Sequence, residues 1–200
     1  MHDFVYLASQ SARRRQLLEQ LGVRHELLLP GDDEDAEALE AEVPGELPVE
    51  YVERVTWAKL DAAQARLAAR ALPPAPIVCS DTTVALGRRI LGKPRDASHA
   101  HATLRLLAGR THRVVTAVAL ADGPRQQLVV NVSRVHFATI DEGELHRYVA
   151  SGEPFGKAGA YAIQSAAAAW IDRIDGSYSS IMGLPLYETA QLLRRARVSF

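Results

Sequence analysis

Ser9-Gln10-Ser11-Ala12-Arg13-Arg14-Arg15 sets two hydroxyls and three guanidiniums within seven residues. That mixture suits a chain of phosphates, because arginine forks grip phosphate oxygens two at a time. The segment follows a short apolar run, Phe4 to Ala8, and Ser11 has the character of a helix N-cap. Free N–H groups and a positive dipole end would then face the same anion. A capped helix with solvated arginines explains these residues as well from position alone. Ser80-Asp81-Thr82-Thr83 closes a second apolar run, Ile77 to Cys79. In an open α/β sheet that is the edge where ligands bind. A carboxylate there can hold a divalent ion or take a proton from water, or simply cap its own turn. Pro94 stiffens the chain beside Lys93, and Lys59 has mostly apolar neighbours, which suits a lysine reaching inward rather than trailing in solvent. Gly152 to Gln164 contains Lys157 between glycines but is not a P-loop: the glycine spacing is one residue short and Ala158 stands where Ser or Thr is required. Lys157 can still meet a phosphate, and the Gln164 amide can pair with a base edge.

Other chemistries lack their residues. His99 and His101 are two apart on a predicted helix and point to different faces, and there is no HExxH and no cysteine pair. The seven histidines therefore read as surface or supporting groups. No nucleophile elbow is present. The single cysteine, Cys79, reads as a core thiol.

These groups need a scaffold, and the 200 residues supply one. Apolar residues make up 48% and charged residues 24%, as in a globular domain. Lys plus Arg number 23 against 24 Asp plus Glu, so the net charge is −1 and no bulk field favours nucleic acid. No apolar stretch is long enough to span a membrane, and the N-terminus lacks a secretory pattern, which leads to an expected cytoplasmic location. Strands are predicted at Phe4–Ala8, Arg24–Leu29, Ile77–Leu86, Val114–Leu120, Leu128–Phe137 and around Ala168–Ile174. Helices are predicted from Ser11 to Gly22, Pro48 to Arg70, Asp96 or Ser98 to Gly109, Asp141 to Gly152, and from Pro185 onward. The helix after Pro48 carries Val52, Val55, Ala58, Ala62 and Ala65 at helical spacing. Pro30 to Leu47 reads as a long acidic surface loop, and Asp122-Gly123 as a hairpin turn. The pattern is an α/β fold with a mixed sheet, expected as a single domain over residues 1–200.

The clusters, taken together and in order, resemble the Maf family of nucleoside triphosphate pyrophosphatases. Leu7-Ala8-Ser9-Gln10-Ser11-Ala12-Arg13-Arg14 is similar to that family's first signature. Ser80-Asp81-Thr82 with Leu91-Gly92-Lys93-Pro94 resembles its second, and Gly152-Glu153-Pro154 through Lys157-Ala158-Gly159-Ala160-Tyr161 and Ile163-Gln164 its third. Gly176-Ser177 and Gly183-Leu184-Pro185-Leu186 match its last. The resemblance implies a Maf/ITPase-like single domain with a central nucleotide-binding cleft. It implies a metal-dependent cleavage, with Mg²⁺ or Mn²⁺, that releases a nucleoside monophosphate and pyrophosphate. By resemblance, Asp81 is the catalytic carboxylate and a metal ligand together with Glu34. Arg13, Thr82 and Gln164 set substrate specificity, and Ser9, Ser11, Arg14, Lys59, Lys93 and Lys157 bind phosphate. The third block has the form of the dTTP/UTP branch; the 7-methyl-GTP branch and a non-catalytic nucleotide-binding regulator remain the alternatives. The resemblance also implies nucleotide-pool cleansing, a link to division arrest and a homodimer. Three positions depart from the family pattern: Ala12 for proline, Gly156 for aspartate and Ser180 for asparagine.

Overall fold

A computed structural model describes residues 1–31 and 34–200. One mixed sheet of seven strands runs through it, in the order β2-β1-β3-β5-β6-β7 with β4 added to β3. The strands are β1 (Val5–Leu7), β2 (His25–Leu27), β3 (Ile77–Leu86), β4 (Arg89–Leu91), β5 (Thr111–Asp122), β6 (Arg125–Phe137) and β7 (Ile171–Asp175). β1 is parallel to β2 and β3, and every other pairing is antiparallel. The expected α/β architecture is present. β4, which no run of apolar residues announces, is a three-residue addition.

Helix α1 (Ala12–Gln20) begins where expected, with the Ser11 hydroxyl accepting from the Arg14 amide. Helix α2 (Pro48–Ala69) has Pro48 in its first turn, where a missing N–H costs nothing. Its buried stripe differs from the one expected: Val52 and Val55 are buried, but Leu60, Ala63 and Arg66 continue the stripe while Ala65 is exposed. Lys59 lies on this sheet-facing side, three to four residues from Val55, Thr56 and Ala63, so it is aimed at β3 rather than at water.

Helices α3 (Ala97–Leu107) and α4 (Glu142–Ala150) are capped by Asp96 and Asp141. The expected strand around Ala168 splits into a short 3-10 turn, Ala166–Trp170, followed by β7. A one-turn helix, α5 (Tyr178–Met182), precedes α6 (Leu186–Arg195). The β5–β6 hairpin closes through Gly123 and Pro124, with Gly123 at φ 57°. Proline cannot take positive φ, so the glycine supplies the left-handed position that a tight hairpin needs.

Alternation along β3 assigns its side chains. Ile77 and Cys79 pack with Leu60 and Ala63 of α2, while Val78 packs with Leu17, Leu18 and Leu193 of α1 and α6. Burial pushes the Cys79 thiol up to about 12, as expected of a core cysteine. By the same period of two, Asp81 falls on the α2 side and Thr82 on the other. On its second edge β3 pairs with β1 only at Ile77 and Val78, and with β4 only from Val84. Between these, residues 79–83 have no strand neighbour on that edge among the described residues. Side chains from both faces of β3 can therefore meet a ligand in the gap. Among the described residues no helix is long and apolar enough to cross a membrane.

Candidate functional site

The gap in the sheet opens into a cavity of about 820 Å³, the size of a small-ligand site. Ser9, Ser11, Arg13, Arg14, Lys59, Asp81, Thr82, Lys93 and Lys157 all line it. Residues up to 148 positions apart are thus brought together by the sheet.

One end is held by the turn from β1 into α1. Arg14 donates from Nε to the Gly183 carbonyl at 2.8 Å and from Nη1 to Ser9 Oγ at 3.2 Å, and its Nη2 reaches Thr82 Oγ1 at 3.5 Å. Ser9 Oγ also accepts from the Ser11 amide. These are neutral partners: Arg13, Arg14 and Lys157 have no carboxylate within ion-pair distance among the described residues. Burial lowers the pKa of both arginines, and for Arg14 the charge of Asp81 opposes it. Burial, and then Arg13, lowers that of Lys157. Unpaired cations crowded into a partly dry site are short of an anion.

Gly183 is glycine for a geometric reason. It closes α5 at φ 118°, and a Cβ there would stand 3.4 Å from Arg14 Nε. Lys157 is oriented by a hydrogen bond to the Glu153 carbonyl, so the lysine is held without the aspartate that the family pattern has at position 156. Gly156 itself sits at φ 71° in open space.

The other end is a chain of paired charges. Lys59 Nζ donates to Asp81 Oδ1 at 2.6 Å and to Glu40 Oε1 at 2.7 Å, and Lys93 Nζ donates to Glu40 Oε2 at 2.6 Å. Asp81 is nearly buried, with 6% of its surface exposed. Burial alone would raise the Glu40 pKa, but Lys59 and Lys93 outweigh it and the net direction is down. Glu40 ends a short 3-10 turn, Ala38–Glu40, inside the acidic loop. Tyr51 anchors that turn by donating to the Glu40 carbonyl at 3.0 Å. The sequence offers no signal that separates Glu40 from Glu37 or Glu42.

Two expected residues are placed differently from the expectation. Glu34, expected beside Asp81 at a metal, lines the cavity but is engaged by Arg66. Arg66 Nε donates to Glu34 Oε1 at 2.8 Å and Nη2 to Oε2 at 2.5 Å, and the Gly31 amide adds 3.1 Å to Oε1. The Arg66 bonds, then the Gly31 amide, hold Glu34 down at about 2. The physical reason is that Arg66 is buried on the sheet-facing side of α2 and needs a counter-charge. Glu40, not Glu34, is the loop carboxylate joined to Asp81 through Lys59. Gln164 is exposed and does not line the cavity; Ala162 and Ile163 are turned inward ahead of it. Tyr161 does line the cavity, seated on Phe137 and bonded to buried His112 at 2.7 Å.

The family description "Maf-like protein" matches residues 4–196. A dTTP/UTP pyrophosphatase of Albidiferax ferrireducens is 61% identical over 194 residues, covering 97% of each chain. That of Cupriavidus pinatubonensis is 59% identical over the full length of both, and that of Burkholderia pseudomallei is 61% identical over 100% of this chain and 96% of its own. A solved structure, the Staphylococcus aureus Ham1 protein, has a TM-score of 0.41 at 13% identity, covering 68% of this chain and 72% of that one, a likeness too loose to bear on function. A match over nearly the whole chain, and relatives at about 60% identity along their full length, leave one conclusion: this chain belongs to the Maf-like protein family.

Proposed function

We propose that the chain is a nucleoside triphosphate pyrophosphatase that hydrolyses dTTP and UTP to the nucleoside monophosphate and pyrophosphate. The observation that carries this reading is the pairing of opposites across one cavity. Asp81 stands in the sheet gap on one side, and Arg13, Arg14 and Lys157 stand on the other without carboxylate partners among the described residues. The names of relatives at about 60% identity support the same reaction and the same bases.

In this reading the triphosphate lies along the arginines. Phosphoryl transfer is mostly positioning and charge neutralisation, and a fixed fork bound to Gly183 and Ser9 keeps Arg14 from reorganising when charge develops. Water adds across the α–β anhydride: its oxygen joins the α-phosphorus, the bridging oxygen leaves with pyrophosphate, and Asp81 takes the water proton. Lys59 keeps Asp81 in place through Oδ1. Lys93 and Lys157 take phosphate oxygens as point charges.

A divalent cation fits the donors present. Asp81 and Glu40 are hard oxygen ligands facing one cavity, the set that Mg²⁺ or Mn²⁺ prefers. When bound, the ion would neutralise phosphate charge there. Thr82 faces the base side, and Gln164, which lies outside the cavity directly after cavity-lining Ile163, would turn its amide inward to meet a bound pyrimidine. An amide can accept from the ring N–H of uracil or thymine and donate to a carbonyl; cytosine lacks that N–H. The reading extends to a cytoplasmic location, where nucleoside triphosphates are pooled, and to a homodimer.

The test is pyrophosphate release with Mg²⁺ or Mn²⁺ from dTTP, UTP, CTP, dATP, GTP and 7-methyl-GTP, with Asp81→Asn alongside. Turnover of dTTP and UTP well above CTP, reduced roughly 10²- to 10⁴-fold in the variant, is expected. Turnover of 7-methyl-GTP alone would overturn the base assignment. Binding of a nucleotide without any release would make the chain a regulator.

A further inference from the structure

Outside the cleft, His101 of α3 meets Glu142 and His146 of α4, and one ligand atom from each of the three lies within 4.8 Å of the others. None of them lines the nucleotide cavity. Sequence spacing does not reveal the group, because its members come from two helices. Glu142 and His146 are four apart and share a face of α4, while the packing of α3 on α4 brings His101 across to them.

We propose that these residues form a second metal site, for Zn²⁺ or a similar borderline first-row ion, separate from the cation of the nucleotide reaction. Two imidazoles and a carboxylate are the donor set of open zinc sites. The hard Mg²⁺ ion prefers oxygen and does not compete there.

The geometry supports a ligand rather than a simple ion pair. His101 Nε2 is buried and approaches Glu142 Oε1 to 2.8 Å, yet makes no aligned hydrogen bond among the described residues. A buried nitrogen without a partner is costly, and an ion between the two atoms removes that cost. The His101 and His146 rings lie 4.6 Å apart at 46°, neither stacked nor edge-on. His146 Nδ1 lies 2.8 Å from the Glu142 carbonyl. A proton held there leaves the Nε2 lone pair for a metal, the usual support for a histidine ligand. Bonds of about 2.1 Å place tetrahedral donors roughly 3.4 Å apart. The His101–Glu142 gap therefore opens by only about 0.6 Å to admit an ion.

The site would join the middle of α3 to the first turn of α4. The test is titration of the metal-free full chain with ZnCl₂, by calorimetry and by thermal melting, in wild type, His146→Ala and Asp81→Asn. His146 is exposed, so its alanine variant should fold. One zinc per chain is expected to raise the melting temperature of wild type and Asp81→Asn alike, with excess Mg²⁺ failing to displace it. Affinity should fall at least about tenfold in His146→Ala, with the melting shift lost. Co²⁺ should give a visible d–d band in wild type and Asp81→Asn and none in His146→Ala. Equal zinc affinity in wild type and His146→Ala, or zinc binding lost in Asp81→Asn instead, would overturn the proposal, as would no binding at all.

Discussion

The two ends of the cavity solve the problem of buried charge in opposite ways. At the Asp81 end every charge has a partner: Asp81 with Lys59, Lys59 with Glu40, Glu40 with Lys93. At the α1 end Arg13, Arg14 and Lys157 have, among the described residues, carbonyls, hydroxyls or nothing as partners. A paired chain is stable without ligand, and a visiting cation must compete with its lysines. An unpaired cluster is complete only when an anion arrives. In the proposed reading the unpaired end grips the phosphates, Lys93 meets them from the paired end, and Asp81 there activates water.

The largest effect after loss of Asp81 itself is expected at the unpaired end. Arg14→Lys keeps the charge but loses the fork that reaches Gly183, Ser9 and Thr82. A fall in kcat/KM for dTTP of about 10²-fold, or ~2.7 kcal/mol of transition-state binding, is expected from steady-state kinetics, with the melting temperature little changed. A change under threefold would mean that charge alone suffices there and that the geometry of the fork is incidental.

A smaller loss is expected at the paired end. In Glu40→Gln, Lys59 turns its full charge on Asp81, and Lys93 loses its partner. Asp81 is then positioned by a lysine no longer fixed at its other end, so kcat should fall about tenfold, with KM changed less. An unchanged kcat would reduce Glu40 to a spacer between two lysines.

Much of this was legible in the sequence. β3 and α2 are readable because ten apolar-rich residues and a Pro48 start are local signals, and the cavity-lining group from Ser9 to Arg14 is readable because it is contiguous. What was not legible depends on tertiary placement. Glu40 differs from its acidic neighbours only because Tyr51 and two lysines meet it. The α2 stripe departs from expectation because alanines fit a helical period on any face, whereas packing with Ile77 and Cys79 of β3 buries Leu60 and Ala63. The His101 group was invisible because its ligands are 41 and 45 positions apart. β4 lacks any pattern of its own and exists because β3 extends beyond β1 and offers an edge.

The smallest effect on rate is expected at Glu34, which decides whether the acidic loop serves the cleft as a ligand or as a strap. As a strap, Glu34 holds Arg66, which also donates to the Leu28 carbonyl at 2.9 Å, and so ties the loop to α2 and to the residue after β2. Glu34→Gln should then leave kcat within about twofold and lower the melting temperature at neutral pH. The pH dependence separates the two roles further. The Glu34 carboxyl falls from 4.5 when free to about 2 when folded. Between those values the unfolded chain binds the extra proton, so stability from this group rises with pH. It is complete above 4.5 and lost as pH falls toward 2. The melting difference between wild type and Glu34→Gln should therefore be full at pH 7 and close progressively below pH 4.5. A variant that melts like wild type at pH 7 but loses turnover by orders of magnitude, with a raised Mg²⁺ requirement, would return Glu34 to the metal and leave Glu40 as the strap.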